Sequence, residues 1–178
     1  AAYVLGKLTR GGFGTRLYDA NTTLCMASAV TAYYRAFGSD GPPPTYEDIP
    51  AGRTHLIWGA NTAVAHPVLF QWIAASARED DSRLVVVDPV ESETAAAAGL
   101  HVRPEPGTDL ALARGVLSHL VETGGLDRSF VDQATSGFDA LSARLPSPAA
   151  AAETTGVGVE TIEHLADAVR SQTLLYWG

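Results

Sequence analysis

The chain has 178 residues, 46% hydrophobic and 18% charged, a composition that supports a globular domain with its own core and excludes a disordered chain. Its charge is lopsided, 12 Lys and Arg against 20 Asp and Glu for a net charge of −8, which on average repels nucleic-acid backbones and anionic lipid. No apolar run reaches the roughly 18 residues that cross a bilayer, and one cysteine, Cys25, leaves no internal disulfide, multi-cysteine zinc site or four-cysteine cluster within these residues.

In chain order, residues 1–10 read as the end of a helix stopped by Gly11-Gly12, without the basic head and apolar run of a targeting signal. Thr15 to Tyr18 reads as a short strand. Cys25 to Phe37 is predicted as a helix with Ala29, Val30, Tyr33 and Phe37 on one face, ended by Gly38, and Asp40-Gly41-Pro42-Pro43-Pro44 as a rigid loop. Thr54 to Trp58 is a short apolar run bounded by turn residues, the pattern of a buried strand. After Gly59-Ala60-Asn61 a helix begins near His66-Pro67, with Pro favourable at its first position and His66 as its cap. Leu69, Trp72, Ile73 and Ala77 fall at core spacing along it.

A second buried strand, Leu84 to Val87, ends in Asp88-Pro89. Ala95 to Ala98 reads as a short helix, Leu100 to Val102 as a third strand and Thr108 to Glu122 as a helix capped by Thr108. Further helices are expected at 127–134, 137–144 and 158–170. The alanine stretch at 149–152 looks like low-complexity linker, and Thr173 to Trp177 closes as a strand. Strands alternating with helices give an α/β fold, a mostly parallel, Rossmann-like sheet with helices on both faces.

Ligands of such sheets sit outside the carboxyl ends of the strands. Gly59 lets a phosphate or ring approach the backbone there. Asp88 can accept from a ribose hydroxyl, and Asp109, after Gly107-Thr108, can accept both the N1–H and the exocyclic N–H of a guanine. Each also has a plain structural reading: a turn glycine, an N-cap threonine, a first-turn acid aided by the helix dipole. No GxGxxG or Walker pattern is present, so neither standard fingerprint applies. Cys25, at the predicted start of a helix, would be favoured as a metal-ligating thiolate; from its neighbours Leu24 and Met26 alone it reads first as a buried hydrophobe. The histidines show no i,i+4 pair for zinc, and Ser28 lacks the G-x-S-x-G elbow of a hydrolase. Trp58, Trp72 and Trp177 read as core or strand-end aromatics.

The run Asp19-Ala20-Asn21-Thr22-Thr23-Leu24-Cys25-Met26-Ala27-Ser28-Ala29-Val30 resembles the catalytic subunits of molybdopterin-dependent nitrate reductases, in the dimethyl-sulfoxide-reductase superfamily. The resemblance continues through Trp58-Gly59-Ala60-Asn61, His66-Pro67-Val68-Leu69-Phe70-Gln71, Val86-Val87-Asp88-Pro89 and Pro106-Gly107-Thr108-Asp109-Leu110-Ala111-Leu112, and ends at Leu175-Tyr176-Trp177-Gly178. It implies a central domain holding molybdenum with two molybdopterin guanine dinucleotides. By the same resemblance Cys25 ligates molybdenum, a role suited to a soft thiolate, and Met26 faces the substrate funnel, where formate dehydrogenase relatives usually carry His. Gly59 and Asn61 match the loop touching one dinucleotide, Asp88 the acid near its ribose, and Gly107, Thr108 and Asp109 its guanine end. Thr94 is in register with the cofactor-binding pattern. Where relatives often follow Asp-Pro with Arg-Arg or Arg-Lys, this chain has Val90-Glu91, which removes cationic partners for the cofactor's phosphates.

The resemblance further implies reduction of nitrate, or a similar oxyanion, by oxygen-atom transfer. Electrons would come from a donor protein or subunit through a 4Fe-4S cluster carried outside these residues, with no nucleic-acid or membrane partner. The expected layout is a tail of a preceding domain over 1–20 and the dinucleotide-binding domain over 21–178. The isolated piece is expected to be inactive. Cytoplasm is the expected compartment and periplasm the alternative. Rival functions are a formate dehydrogenase-type molybdenum domain and a non-catalytic nucleotide-binding or interaction module in which Cys25 is structural.

Overall fold

Four short strands, Thr54–Trp58 (β1), Arg83–Val87 (β2), Leu100–Val102 (β3) and Thr173–Trp177 (β4), form one sheet in the order β3-β2-β1-β4. Every pairing is parallel, so the expected α/β, doubly covered architecture is the one observed. The computed structural model describes residues 1–178, apart from the side chains of Thr22 and Thr23. It divides into two compact units, Ala1–Pro43 and Pro44–Gly178.

The first unit is helical. Ala2–Lys7 (α1) runs into a wider π turn over Leu8–Gly12; Thr22–Cys25 (α2) and Ala27–Phe37 (α3) follow, and Gly38 ends α3 in the left-handed conformation. Two expectations are corrected. Residues 15–18 form no strand, because no neighbouring strand offers a ladder: Tyr18 N–H bonds only to Arg16 O two residues back, and Leu17 is 95% exposed. The helix expected over Cys25 to Phe37 is broken at Met26, the N-cap of α3. Cys25 therefore closes α2, its N–H bonding back to Asn21 O, and is not in the first turn of the longer helix.

The second unit carries the sheet. A 3-10 segment, Tyr46–Ala51, leads into β1; its start is a capping box in which Thr45 and Asp48 each bond the other's backbone N–H. Thr62–Ala65 (α4) and Pro67–Ser76 (α5) connect β1 to β2, and Glu93–Ala96 (α6) connects β2 to β3. The return to β4 runs through Asp109–Glu122 (α7), Arg128–Ala134 (α8), Phe138–Ser142 (α9), Pro148–Thr155 (α10) and Val159–Ala168 (α11).

Strand alternation divides the apolar residues between two faces. Leu56, Val85, Val87 and Val102 pack against Leu112 and Val116 of α7, Ala151 of α10 and Ile162 and Leu165 of α11. Ile57, Leu84 and Val86 pack against Ile73 of α5, Ala95 of α6 and Ile49 of the 3-10 segment. Each fully buried Val, Leu or Ile among these contributes about 1.5–3 kcal/mol. The alanine stretch is thus no linker. Alanine is the best helix former, Ser147 caps Ala150 N–H, Gly156 ends the helix, and small side chains let α10 lie against α7 at Gly115, where an added Cβ would sit 2.5 Å from Ala151 Cβ. In α5, Ile73 is buried as expected, but Trp72 is 54% exposed and lines a recess of about 480 Å³ with Tyr46, Pro67 and Leu69. His66 occupies the N-cap position of α5 without a side-chain capping bond.

Candidate functional site

The chain leaves β1 toward β2 on one side, whereas β4 adds on the other after the long excursion from β3. The carboxyl ends of β1 and β4 therefore flank the switch point where doubly wound sheets bind ligands. Gly59, just past β1, has φ +67° and its N–H bonds to Val87 O at 2.8 Å. Gly178, just past β4, bonds to Trp58 O at 3.2 Å, and a Cβ there would lie 2.7 Å from Ala60 Cβ. Backbone thus packs closely against backbone at this end of the sheet, and a side chain at Gly59 would be strained by its φ.

Asn61 is held by α6. The Ala63 N–H donates to Thr94 Oγ1 at 2.9 Å, so the Thr94 hydroxyl proton goes to Asn61 Oδ1, also at 2.9 Å. That fixes the amide: Asn61 Nδ2 turns to Glu93 Oε2 at 2.8 Å, and the bond holds the exposed Glu93 carboxyl below its ordinary range. Thr94 is fully buried with its hydroxyl spent on these two partners. It positions Asn61, whose amide keeps one N–H outside these bonds.

Asp88, at the end of β2, is half-buried. Its Oδ1 accepts from Val90 N–H and its carbonyl from His101 Nε2–H on β3, both at 2.8 Å. The second carboxylate oxygen remains available. Gly107 has φ +86° and open space where a Cβ would project. The next residue, Thr108, is the N-cap of α7 by position, but its hydroxyl donates to Glu105 O at 2.7 Å and makes no capping bond. Asp109 Oδ1 accepts from the Trp58 indole N–H at 2.8 Å, so β1 orients the carboxylate that opens α7. Trp58, Glu93 and His101 went unrecognised in the sequence as parts of this edge. Their signal is contact across 51, 32 and 13 residues, which no local pattern carries.

Gly59, Asn61, Asp88, Gly107, Thr108 and Asp109 thus converge on one edge of the second unit. Cys25 and Met26 lie in the first unit; the Cys25 thiol is exposed and Met26 is half-buried. Among the described residues no group of three or more His, Cys, Asp or Glu could hold a metal ion.

A family model for molybdopterin oxidoreductases matches residues 1–128. The chain belongs to the molybdopterin oxidoreductase family. Membership implies a molybdenum–molybdopterin cofactor, and each unit carries chemistry that suits it: the first an exposed cysteine, a soft donor, and the second a sheet edge with open carboxylate acceptors. The chain is 64% identical over all 178 residues to an assimilatory nitrate reductase of Haloferax mediterranei. It is 42% identical over 139 residues, 78% of its length, to a nitrate reductase of Shewanella frigidimarina. It spans only 25% and 15% of those proteins. The acetylene hydratase of Pelobacter acetylenicus superposes with a TM-score of 0.78 over 90% of this chain and 22% of that one, at 23% identity, a likeness of fold. No helix among the described residues is long and apolar enough to cross a membrane.

Proposed function

We propose that this chain is the cofactor-binding domain of a molybdenum enzyme that reduces nitrate to nitrite. The observation that carries the reading is the 64% identity, end to end, with an assimilatory nitrate reductase. When bound, the molybdenum cofactor supplies the oxygen-atom-transfer chemistry. The chain's own residues bind and orient. The exposed Cys25 sulfur ligates the metal as a soft donor, and Met26 beside it shapes the approach of a small oxyanion.

The cofactor takes the guanine dinucleotide form. Gly59 brings backbone to its phosphate-bearing part, Asn61 offers an amide proton held in aim by Thr94 and Glu93, and the free oxygen of Asp88 accepts from a ribose hydroxyl. Gly107 and Thr108 lead to Asp109, whose carboxylate, oriented by Trp58, accepts from the guanine edge. Residues 21–178 form this domain and residues 1–20 the tail of a preceding one. Electrons arrive from a donor protein through a 4Fe-4S cluster held elsewhere in the enzyme, in the cytoplasm.

The test is made on the full-length enzyme: molybdenum and guanine nucleotide per polypeptide, with nitrate and formate as alternative substrates. Nitrite formation with bound molybdenum supports the reading. Formate oxidation in its place moves the enzyme to the formate dehydrogenase type, and absence of both metal and nucleotide leaves a non-catalytic module.

A further inference from the structure

Of the candidate features, the buried His55–Tyr176–Ser76 network is fully satisfied within the fold, and nothing shows what covers the Trp72 recess. The carboxyl edge of the sheet, by contrast, holds an unbalanced charge pattern. Asp88, Glu91 and Glu105 lie in the segments that follow β2 and β3, Glu93 and Asp109 open the helices just beyond them, and a dinucleotide adds negative phosphates to these acids. Among residues 59–66, 88–92 and 103–108, which follow β1, β2 and β3, there is a single Lys or Arg, Arg103.

Arg103 follows directly on β3. Val102 pairs with Val87 and accepts the Asp88 N–H through its carbonyl at 3.0 Å, so Arg103 stands level with Asp88 at the strand ends. It lies between two buried residues, Val102 and Pro104, and is itself exposed. Pro104 keeps it extended, and alternation in an extended segment puts it on the side of His101, the residue bonded to Asp88 O. It makes no hydrogen bond or ion pair with any described residue, although three acids stand near it along the chain or across the edge: Glu105 and Asp109 within six positions in sequence, and Asp88 level with it just past β2. Two strand spacings, about 10 Å, separate it from Gly59, a distance that a dinucleotide lying along the edge spans.

We infer that Arg103 is the phosphate-binding residue of this edge, supplying the positive charge that Val90 and Glu91 do not. The inference rests on the dinucleotide reading above. A guanidinium binds phosphate through two parallel N–H donors, and one left without an acid partner has all its donors available. The surrounding carboxylates accept from hydroxyl and amino groups and repel a misplaced phosphate, so the pattern also sets the direction in which the nucleotide lies.

The experiment compares wild type, R103Q, R103K and R103Q/V90R in the full-length enzyme. Val90 is exposed on the loop after β2, and its N–H bonds to Asp88 Oδ1, so it offers a second position on this edge for a cation. The readouts are guanine nucleotide and molybdenum per polypeptide after gel filtration, and the rate at which the nucleotide is released in increasing salt. One lost charge-assisted contact corresponds to release roughly tenfold or more faster for R103Q, with a flatter dependence on salt than wild type. R103K keeps the charge without the paired donors and falls between, and V90R recovers retention in the R103Q background.

Nucleotide at full stoichiometry and unchanged release in R103Q overturn the assignment and leave the dinucleotide reading standing. Failure of V90R to recover retention, with R103K no better than R103Q, overturns the electrostatic role. A wild-type enzyme without guanine nucleotide overturns the dinucleotide reading itself and this inference with it.

Discussion

Residues 1–43 and 44–178 contain similar local signals and use them differently. Both have helices ended by left-handed glycines, at Gly38 and Gly156. In the second unit those helices cover a parallel sheet, and Ile57, Ile73, Leu112, Ile162 and Leu165 are wholly buried. In the first unit no described residue is buried, and Tyr3, Phe13, Leu24 and Phe37 are all largely exposed. A helix forms from propensity and capping, but most of its stability comes from tertiary packing. The proposed metal ligand thus lies where local structure is present without a core, and the proposed nucleotide contacts where backbone is pinned by the sheet.

The two units should differ most in what the truncation of an apolar residue costs. Ile162→Ala leaves a cavity between α11 and the sheet and is expected to cost about 2–5 kcal/mol, whereas Leu17→Ala should stay within about 0.5 kcal/mol. Urea unfolding followed by circular dichroism measures both, and equal costs would erase the distinction. Cys25→Ser is expected to lower nitrate reduction by the full-length enzyme roughly a hundredfold or more, about 2.7 kcal/mol of activation free energy, without moving the unfolding midpoint, because the thiol is exposed. Preserved activity and molybdenum content would remove Cys25 from the site.

A smaller effect tests the contact of α7 with α10. Gly→Ala in a helix ordinarily gains up to about 1 kcal/mol, but a Cβ 2.5 Å from Ala151 demands a shift costing about 1–3 kcal/mol. Gly115→Ala should therefore destabilise, and a rise in the midpoint would refute the close approach.

The smallest effect is the pH dependence. Burial holds His55 below its ordinary 6.5: the unfolded chain binds the proton first, so stability falls as pH drops through 6.5 toward the folded value. The geometry agrees. Ser76 Oγ donates to Ile49 O, so it accepts from His55 Nε2–H and leaves Nδ1 to accept from Tyr176; protonating Nδ1 would remove that bond. Burial also pushes Tyr176 up to about 12 from 10.0, so stability is lost between those values as the unfolded chain ionises first. Tyr176→Phe should abolish the alkaline limb and leave an acid limb.

Period and punctuation made much of this fold legible. The four sheet strands were read within a residue of their bounds because each is a short apolar run between turn residues. Gly59, Asp88 and Gly107-Thr108-Asp109 stood out because they follow strands or open a helix. The resemblance through Cys25-Met26 and the later motifs added the family, which residue chemistry alone left open. The errors share a cause. A strand at 15–18, a buried Trp72 and an alanine linker were each inferred from local composition, while ladder partners, exposure and close helix contacts depend on distant residues.

The sequence by itself determined the alternation of strands and helices, the placing of glycine at the sheet edge and the charge of that edge, because these depend on residue identity and short spacing. Only the tertiary structure decided that the Thr94 hydroxyl is spent within the fold, on Ala63 and Asn61, that Trp58 orients Asp109, and that Arg103 stands level with Asp88 without an acid partner. Hydrogen-bond direction and charge pairing are set by which atoms meet, and those meetings arise only when strands distant in sequence lie side by side.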